Sequence, residues 1–313
     1  MKVIVVGLGV QGHKRRAIAG SDYVACVDPI NVQADYKHVS EVPLNNYDAA
    51  LVCTPDQTKI EILTYLIQHK KHILVEKPLY ASDPILVELQ TLAQQQKVVC
   101  YTAYNHRFEP HLMRMRDVIQ SGGLGACYHA RFFYGNGTAR LVRDSAWRDQ
   151  GAGVLPDLGS HLLDLSDFIF GVRGSQFQVI FSNCFENNAP DHVTFVNRTT
   201  QPQLEFEMTL LSWRNHFSCD VLGEKGSVHV ESLCKWGPST FTLRKRILPS
   251  GRPPEQAITL VQEDPTWALE YAHFKKLIIE SVATDLSRDR WMSQQLQLLN
   301  QTAIRMASTC QTV

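Results

Sequence analysis

The first dozen residues restrict the fold more than any other part of the chain. Val3-Ile4-Val5-Val6 is a short apolar run, and Gly7-Leu8-Gly9-Val10-Gln11-Gly12 follows it directly. Strand, then G-x-G-x-x-G, then helix start is the context in which this glycine spacing predicts dinucleotide binding. Gly7 permits a tight turn, Gly9 lets the backbone approach a pyrophosphate, and Gly12 lets the helix pack closely on the strand. The helix start, at Val10 and Gln11, would offer backbone N–H groups and positive partial charge to the anion.

The chain then repeats the alternation. Apolar runs at Tyr23–Val27, Ala49–Cys53, His72–Val75 and Val98–Tyr101 are separated by helical patterns. Continuous apolar strands of this kind predict a doubly wound parallel sheet covered on both faces. Asp28 ends the second run, 16 residues beyond Gly12. A carboxylate there accepts ribose hydroxyls and repels a 2′-phosphate, which favours NAD over NADP. Lys14, Arg15 and Arg16 leave NADP open, although a solvated helix face is the simpler reading of all three. Only about 20 residues separate Asp28 from Ala49. The helix between them is therefore expected to shrink to a turn, with Lys37–Val39 as a stub of the next strand.

Beyond residue 120 the rhythm changes. Gly122-Gly123 and Gly125 break the chain, and strand-like segments follow at Ala126–Tyr134, Gln176–Phe185, His192–Arg198, Leu204–Trp213, Phe217–Leu222 and Ser227–Val230. One helix, Gly159 to Phe170, interrupts them, and two more close the chain, from about Pro265 to Ser281 and from Trp291 to Ser308. Hairpin turns such as Gly223-Glu224-Lys225-Gly226 predict antiparallel pairing. The expected architecture is an α/β chain of two domains. Residues 1–119 form an NAD-binding Rossmann domain. Residues 120–313 form an α/β domain with a large, mostly antiparallel open sheet that serves substrate binding and oligomerisation.

Composition removes other classes. Lys plus Arg and Asp plus Glu are both 31, without the basic excess of a nucleic-acid or membrane-surface binder. No apolar run approaches the roughly 18 residues of a membrane span. The N-terminus has one Lys and runs straight into the strand Val3 to Val6, and a glycine turn follows where a signal peptide would place a small-residue cleavage site, so a cytoplasmic location is expected. None of the eight cysteines lies within three residues of another. The expectation is buried free thiols and no metal site.

Two elements carry chemistry. Glu76-Lys77-Pro78 stands at the C-terminal end of a parallel strand, where open α/β sheets place their ligands. A Lys there can polarise a carbonyl or stabilise an oxyanion, though a surface Lys before a turn-forming Pro would look the same. Asp157, His161 and Asp164 follow at helical spacing. Imidazole beside a carboxylate is a general base near neutral pH. The spacing could also hold a metal, but hydride transfer with the indicated dinucleotide needs only a base and an oxyanion stabiliser. Asp157 could equally cap the helix.

These elements resemble the Gfo/Idh/MocA family, named for glucose–fructose oxidoreductase, inositol dehydrogenase and a rhizopine-catabolism protein. The resemblance rests on Gly7-x-Gly9-x-x-Gly12, Thr54-Pro55, Glu76-Lys77-Pro78, Tyr104-Asn105-His106-Arg107-Phe108-x-Pro110 and Asp157-x-Gly159-x-His161-x-x-Asp164. It implies an oxidoreductase acting on CH–OH groups of a sugar, inositol or nucleotide-sugar. By resemblance, Lys77, Asp157 and His161 act at the reacting carbinol, and Thr54, Pro55, Glu76 and Asn105 lie near the cofactor. Arg107, Trp147 and Arg148 would lie near the substrate or support its site. A homodimer or homotetramer is implied as well. The chain departs from the family where Lys59 replaces a frequent His, where Lys70 replaces a Gly before the Glu-Lys-Pro strand, and in the short segment after Asp28. Two other classes stay open: a non-catalytic NAD-binding regulator of the same fold, and a dehydrogenase of an amino acid, an imine or a dihydrodiol. Arg131, Arg140, Arg143 and Arg148 could serve an anionic substrate or simply be solvated.

Overall fold

The computed structural model describes residues 1–145, 148–197 and 201–310, with the side chains of Thr309 and Cys310 excepted. Trp147 and Arg198 therefore lie outside the described residues. The chain forms two compact units, Met1–Asn105 with Thr266–Gln294, and His106–Pro265 with Gln295–Val313.

The first unit is built on a parallel sheet of β1 (Val3–Val6), β2 (Tyr23–Val27), β3 (Ala49–Val52), β4 (His72–Glu76) and β5 (Cys100–Ala103), in the order β2-β1-β3-β4-β5. Every residue of β1 and β3 is buried, because helices cover both faces. Ile4, Val6, Ala50, Val52, Ile73 and Val75 point to the face covered by α2 (Asp56–Gln68) and α3 (Asp83–Gln96), which supply Leu63, Leu66, Leu86 and Leu89. Val3, Val5, Leu51 and Leu74 point to the other face, with Ala19 from α1 (Val10–Ala19). The expected shortening after Asp28 is present. The strand stub is not at Lys37–Val39 as expected: it is a single parallel bridge, Val27 to Tyr36, while residues 39–41 and 44–46 are 3₁₀ turns.

The second unit holds an eight-stranded sheet ordered β13-β12-β11-β10-β6-β9-β8-β7. Its strands are β6 (Cys127–Gly135), β7 (Phe177–Asn183), β8 (His192–Asn197), β9 (Gln203–Thr209), β10 (His216–Gly223), β11 (Gly226–Glu231), β12 (Ser239–Lys245) and β13 (Glu255–Leu260). All neighbours pair antiparallel except β6 and β9. The last two strands were not foreseen. Both lie at one end of the sheet and β13 is largely exposed, so their apolar positions, Phe241, Leu243, Ile258 and Leu260, are few and set among polar residues. One sheet face buries Phe132, Phe195, Phe206 and Phe217. Against this unit's strands pack α4 (Pro110–Gln120) and α6 (Ser160–Phe170), while a short α5 (Ala139–Arg143) follows β6. The opposite sheet face is polar: Arg131 pairs with Glu207 at 2.7 Å and with Glu205 at 3.6 Å, and His229 meets Asp220 at 2.6 Å.

The unit boundaries differ from a cut at 119/120. Helix α4 packs on α6, β11 and β12, so it belongs with the second unit. Helix α7 (Thr266–Ile279) returns to the first unit, where Tyr271 and Phe274 cover the α1 face of the sheet. That face would otherwise have α1 alone. Helix α8 (Ser287–Cys310) belongs to the first unit as far as Gln294 and to the second from Gln295. No described helix is long and apolar enough to cross a membrane. The seven described cysteine side chains that can be classified are all free.

Candidate active site

The glycine turn of the first unit has the shape a dinucleotide needs. Gly7 has φ 91°, a left-handed value natural only to glycine, and a Cβ there would lie 2.7 Å from the Cys53 carbonyl oxygen. A Cβ on Gly12 would lie 1.9 Å from the Gly7 carbonyl oxygen, so this glycine lets α1 close on the turn. Gly9 is different. A Cβ there would meet nothing within 4 Å, which leaves its backbone open to a ligand. Beside the turn, at the end of β3, the Thr54 hydroxyl is buried without a hydrogen-bond partner. An orphaned donor next to an open glycine is what a pyrophosphate or ribose would satisfy.

Asp28 is tied into the same turn. Its carboxylate accepts the Leu8 N–H at 2.7 Å on one oxygen, and the Ile30 and Asn31 N–H groups at 2.9 and 2.8 Å on the other. Partial burial opposes its charge, but these N–H groups and Lys37 prevail and hold it below the usual carboxylate range. A carboxylate has about four acceptor positions, so three N–H donors leave room for one ribose hydroxyl.

Residues 76 to 78 are held from two sides. Arg15, 1% exposed, donates to Glu76 at 2.6 Å and to Glu270 of α7 at 2.7 Å. Burial disfavours the guanidinium charge, but the two carboxylates overrule it and raise its pKa above the ordinary arginine value. Burial pushes the Glu270 carboxyl up to about 7 against the pull of Arg15. The ring of Trp267 covers the guanidinium at 4.3 Å. From α2, the buried Lys59 ammonium donates to the carbonyls of Glu76 and Pro78 at 2.8 and 2.9 Å and pairs with Asp56 at 2.7 Å. Both cations grip the residues flanking the half-buried Lys77. Arg15 is thus no solvated residue, in contrast to the exposed Lys14 and Arg16 beside it. The Asn105 amide, expected near the cofactor, donates to Thr266 at 2.8 Å.

In the second unit, Leu155–Gly159 is a π-helical turn leading into α6. Gly159 lets this turn pack closely, because a Cβ there would lie 2.8 Å from the Leu155 side chain and 2.9 Å from that of Met208 of β9. His161 opens α6 and stacks on the buried His106 at 4.0 Å between ring centroids. Tyr134 packs against both imidazoles, at 5.5 Å from His106 and 6.1 Å from His161. Its hydroxyl accepts a hydrogen bond from Lys235 at 2.9 Å, and Lys235 also donates to His106 at 3.3 Å. Burial pushes the Tyr134 phenol well up, and the charge of Asp157 adds to this. Asp157, half-exposed, pairs with Arg148 at 3.6 Å. Asp164 and Arg107 form a different group: Arg107 donates to Asp164 at 2.7 Å and to Asp167 at 3.4 Å, bracing α6. Arg143 pairs with Glu186 at 3.5 Å.

Lys59, Glu270, Tyr134 and Lys235 were not singled out as site residues from the sequence. A signal existed for the two buried cations. Lys59 lies four residues before Leu63 on the buried stripe of α2, and Arg15 lies between Gly12 and Ala19 on that of α1. A charge on an apolar stripe points inward, where it needs a partner.

Residues 1–104 match the model of an oxidoreductase family with an NAD-binding Rossmann fold, and residues 112–229 match the Gfo/Idh/MocA C-terminal domain. The chain belongs to the Gfo/Idh/MocA family. Among its relatives are the rhizopine catabolism protein MocA of Rhizobium meliloti, 27% identical over 57% of this chain and 60% of that protein. Another is the myo-inositol 2-dehydrogenase of Thermotoga maritima, 25% identical over 46% of this chain and 42% of that protein. The chain spans about half the length of the curated relatives it matches. A levoglucosan dehydrogenase solved with NADH shares the fold at a TM-score of 0.80 and 16% identity, over 98% of both chains. The UDP-N-acetylglucosamine 3-dehydrogenase of Acidithiobacillus ferrooxidans does so at 0.81 and 16%, again over 98% of both. In this Gfo/Idh/MocA chain the open Gly9, the buried Thr54 hydroxyl and the carboxylate of Asp28 fit the NAD that its Rossmann domain binds.

Proposed function

We propose that the protein is a dehydrogenase that transfers hydride between a secondary alcohol of a sugar-like substrate and NAD. The observation that supports this most is the pair of buried cations around residues 76 to 78. Lys59 fixes the backbone on either side of Lys77, and Arg15 holds the Glu76 side chain. Such rigidity suits a side chain that must meet a reacting oxygen within a fraction of an ångström.

NAD, when bound, supplies the hydride acceptor. His161 removes the hydroxyl proton as general base, in its neutral form. Lys77 donates a hydrogen bond to the developing oxyanion and lowers the cost of its charge. Asp157 orients the substrate, with Arg148 holding its carboxylate. Reduction in the other direction uses the same groups. Asp28 favours NAD over NADP, since a carboxylate held charged repels a 2′-phosphate. A homodimer or homotetramer is the proposed assembly.

The test is a panel of free sugars, inositols, uronic acids and nucleotide-sugars, each followed by NADH absorbance. With a turned-over substrate, His161→Ala and Lys77→Ala are each expected to lower kcat by about 100-fold or more. Unchanged turnover in both would refute the assignment. Absence of turnover throughout the panel, with NAD still bound, would favour a non-catalytic regulator.

A further inference from the structure

Lys235 reaches the imidazole pair from the 3₁₀ turn Cys234–Trp236, which joins β11 to β12, and as a whole residue it is exposed. An exposed lysine ordinarily keeps its head in water, because fixing a four-carbon stem costs rotamer freedom. This one folds back onto the protein. Its ammonium donates to the Tyr134 hydroxyl oxygen at 2.9 Å and to His106 Nε2 at 3.3 Å, and it lies over the ring of Trp236 at 4.6 Å.

The turn that carries Lys235 is locked to the turn that carries His106. Glu109, 1% exposed, donates its N–H to the His106 carbonyl at 3.1 Å. Its carboxylate accepts the Cys234 N–H at 3.2 Å and the Cys234 thiol at 3.0 Å. The approach of Lys235 to His106 is therefore built into two tied turns and does not depend on a flexible stem alone.

The donor count then fixes the state of His106. An ammonium has three donors and no acceptor, so the nitrogen facing it must present a lone pair. The proton of the neutral ring consequently sits on Nδ1. A second proton would set two cations 3.3 Å apart at a residue that is itself buried. The effect passes to His161, whose ring stacks on that of His106 at 4.0 Å with an interplanar angle of 25°. A neutral ring pinned in one tautomer gives His161 a fixed plane to lie against, with no charge to repel the proton that a general base takes up.

We infer that Lys235 is a positioning residue for the reaction at His161: by holding His106 in its Nδ1–H tautomer it fixes the stacked His161 ring in the orientation from which it meets the substrate hydroxyl. The consequence for turnover rests on His161 as the general base; the hold of Lys235 on the two rings does not.

The experiment uses the full chain with NAD bound. Imidazole ¹⁵N NMR reads the tautomers, with His106→Gln and His161→Gln assigning the two sets of signals. The natural protein is expected to show His106 as Nδ1–H with Nε2 unprotonated, the reverse of the form free histidine favours. Lys235 is exposed, so Lys235→Met is expected to fold. It should lose that form of His106 and shift the His161 signals. With a turned-over substrate it should lower kcat about tenfold while KM and the Kd for NAD stay within about twofold. Lys235→Arg, which keeps a cationic donor, is expected to retain the His106 tautomer and most of kcat. The proposal is overturned if His106 is Nε2–H in the natural protein, or if Lys235→Met leaves the His161 signals or kcat unchanged. It is equally overturned if KM rises at constant kcat, which would make Lys235 a substrate-binding group, or if Lys235→Arg behaves as Lys235→Met. Unchanged turnover in His161→Ala would instead sink the proposed reaction, and the NMR result alone would then decide whether Lys235 holds the two rings.

Discussion

Glu270 is the group whose titration tests the buried triad most directly. It is fully buried, and burial pushes its carboxyl from 4.5 up to about 7 despite the Arg15 guanidinium at 2.7 Å. At roughly 1.4 kcal/mol per pH unit, a rise from 4.5 to about 7 corresponds to about 3 kcal/mol. Below about pH 4.5 the group is protonated in both the folded and the unfolded chain, and its contribution to stability is fully present. As pH rises toward 7 the unfolded chain ionises freely while the folded one retains its proton, so stability is lost. Above about pH 7 both states are ionised and the loss is complete. Glu270→Gln keeps the shape and removes the titration. Urea unfolding of both proteins, followed by circular dichroism from pH 4.5 to 8 at fixed ionic strength, isolates the effect, since other groups cancel in the difference. The variant is expected to gain on the natural protein by about 3 kcal/mol across that range. Parallel curves would mean that Glu270 stays ionised with Arg15 at every pH, and would refute the reasoning. So would a gap that moves in the opposite direction.

The glycine turn predicts opposite outcomes for two similar changes. Gly9→Ala should fold normally, since its Cβ meets nothing within 4 Å, but should weaken NAD binding about tenfold or more by calorimetry. Gly12→Ala should lower the melting temperature of the apoprotein, because its Cβ would lie 1.9 Å from a backbone carbonyl. Lys59→Met should lower kcat by about 100-fold with little change in the Kd for NAD, as expected for a misplaced Lys77; an unchanged kcat would remove Lys59 from its positioning role. Lys70 holds φ 57° at the end of α2, so Lys70→Gly should stabilise the protein by about 0.5–1 kcal/mol in the same urea assay.

Several features of this protein were legible from order along the chain alone. The Rossmann strands were readable because parallel strands covered on both faces are continuous apolar runs, and those of β1 and β3 are buried throughout. Gly7 and Gly12 were readable because their requirement is local: a positive φ in one case and close approach to the turn in the other. The shortening of the helix after Asp28 followed from simple length, whereas the place of the strand stub did not. Tertiary structure decided what depends on partners far away in sequence. No local pattern announces that α7 returns to cover the first sheet, or that Arg15 and Glu270 meet across 255 residues. Asp28 offers the same carboxylate in either reading, yet only the fold shows three N–H groups already occupying most of it. Lys59 stood out in the sequence as a departure from a family pattern, and the fold makes it a clamp on the residues flanking Lys77. The physical reason is the same in each case. Hydrophobic period and backbone conformation are set by near neighbours, whereas the burial of a charge is decided by what the rest of the chain brings to it.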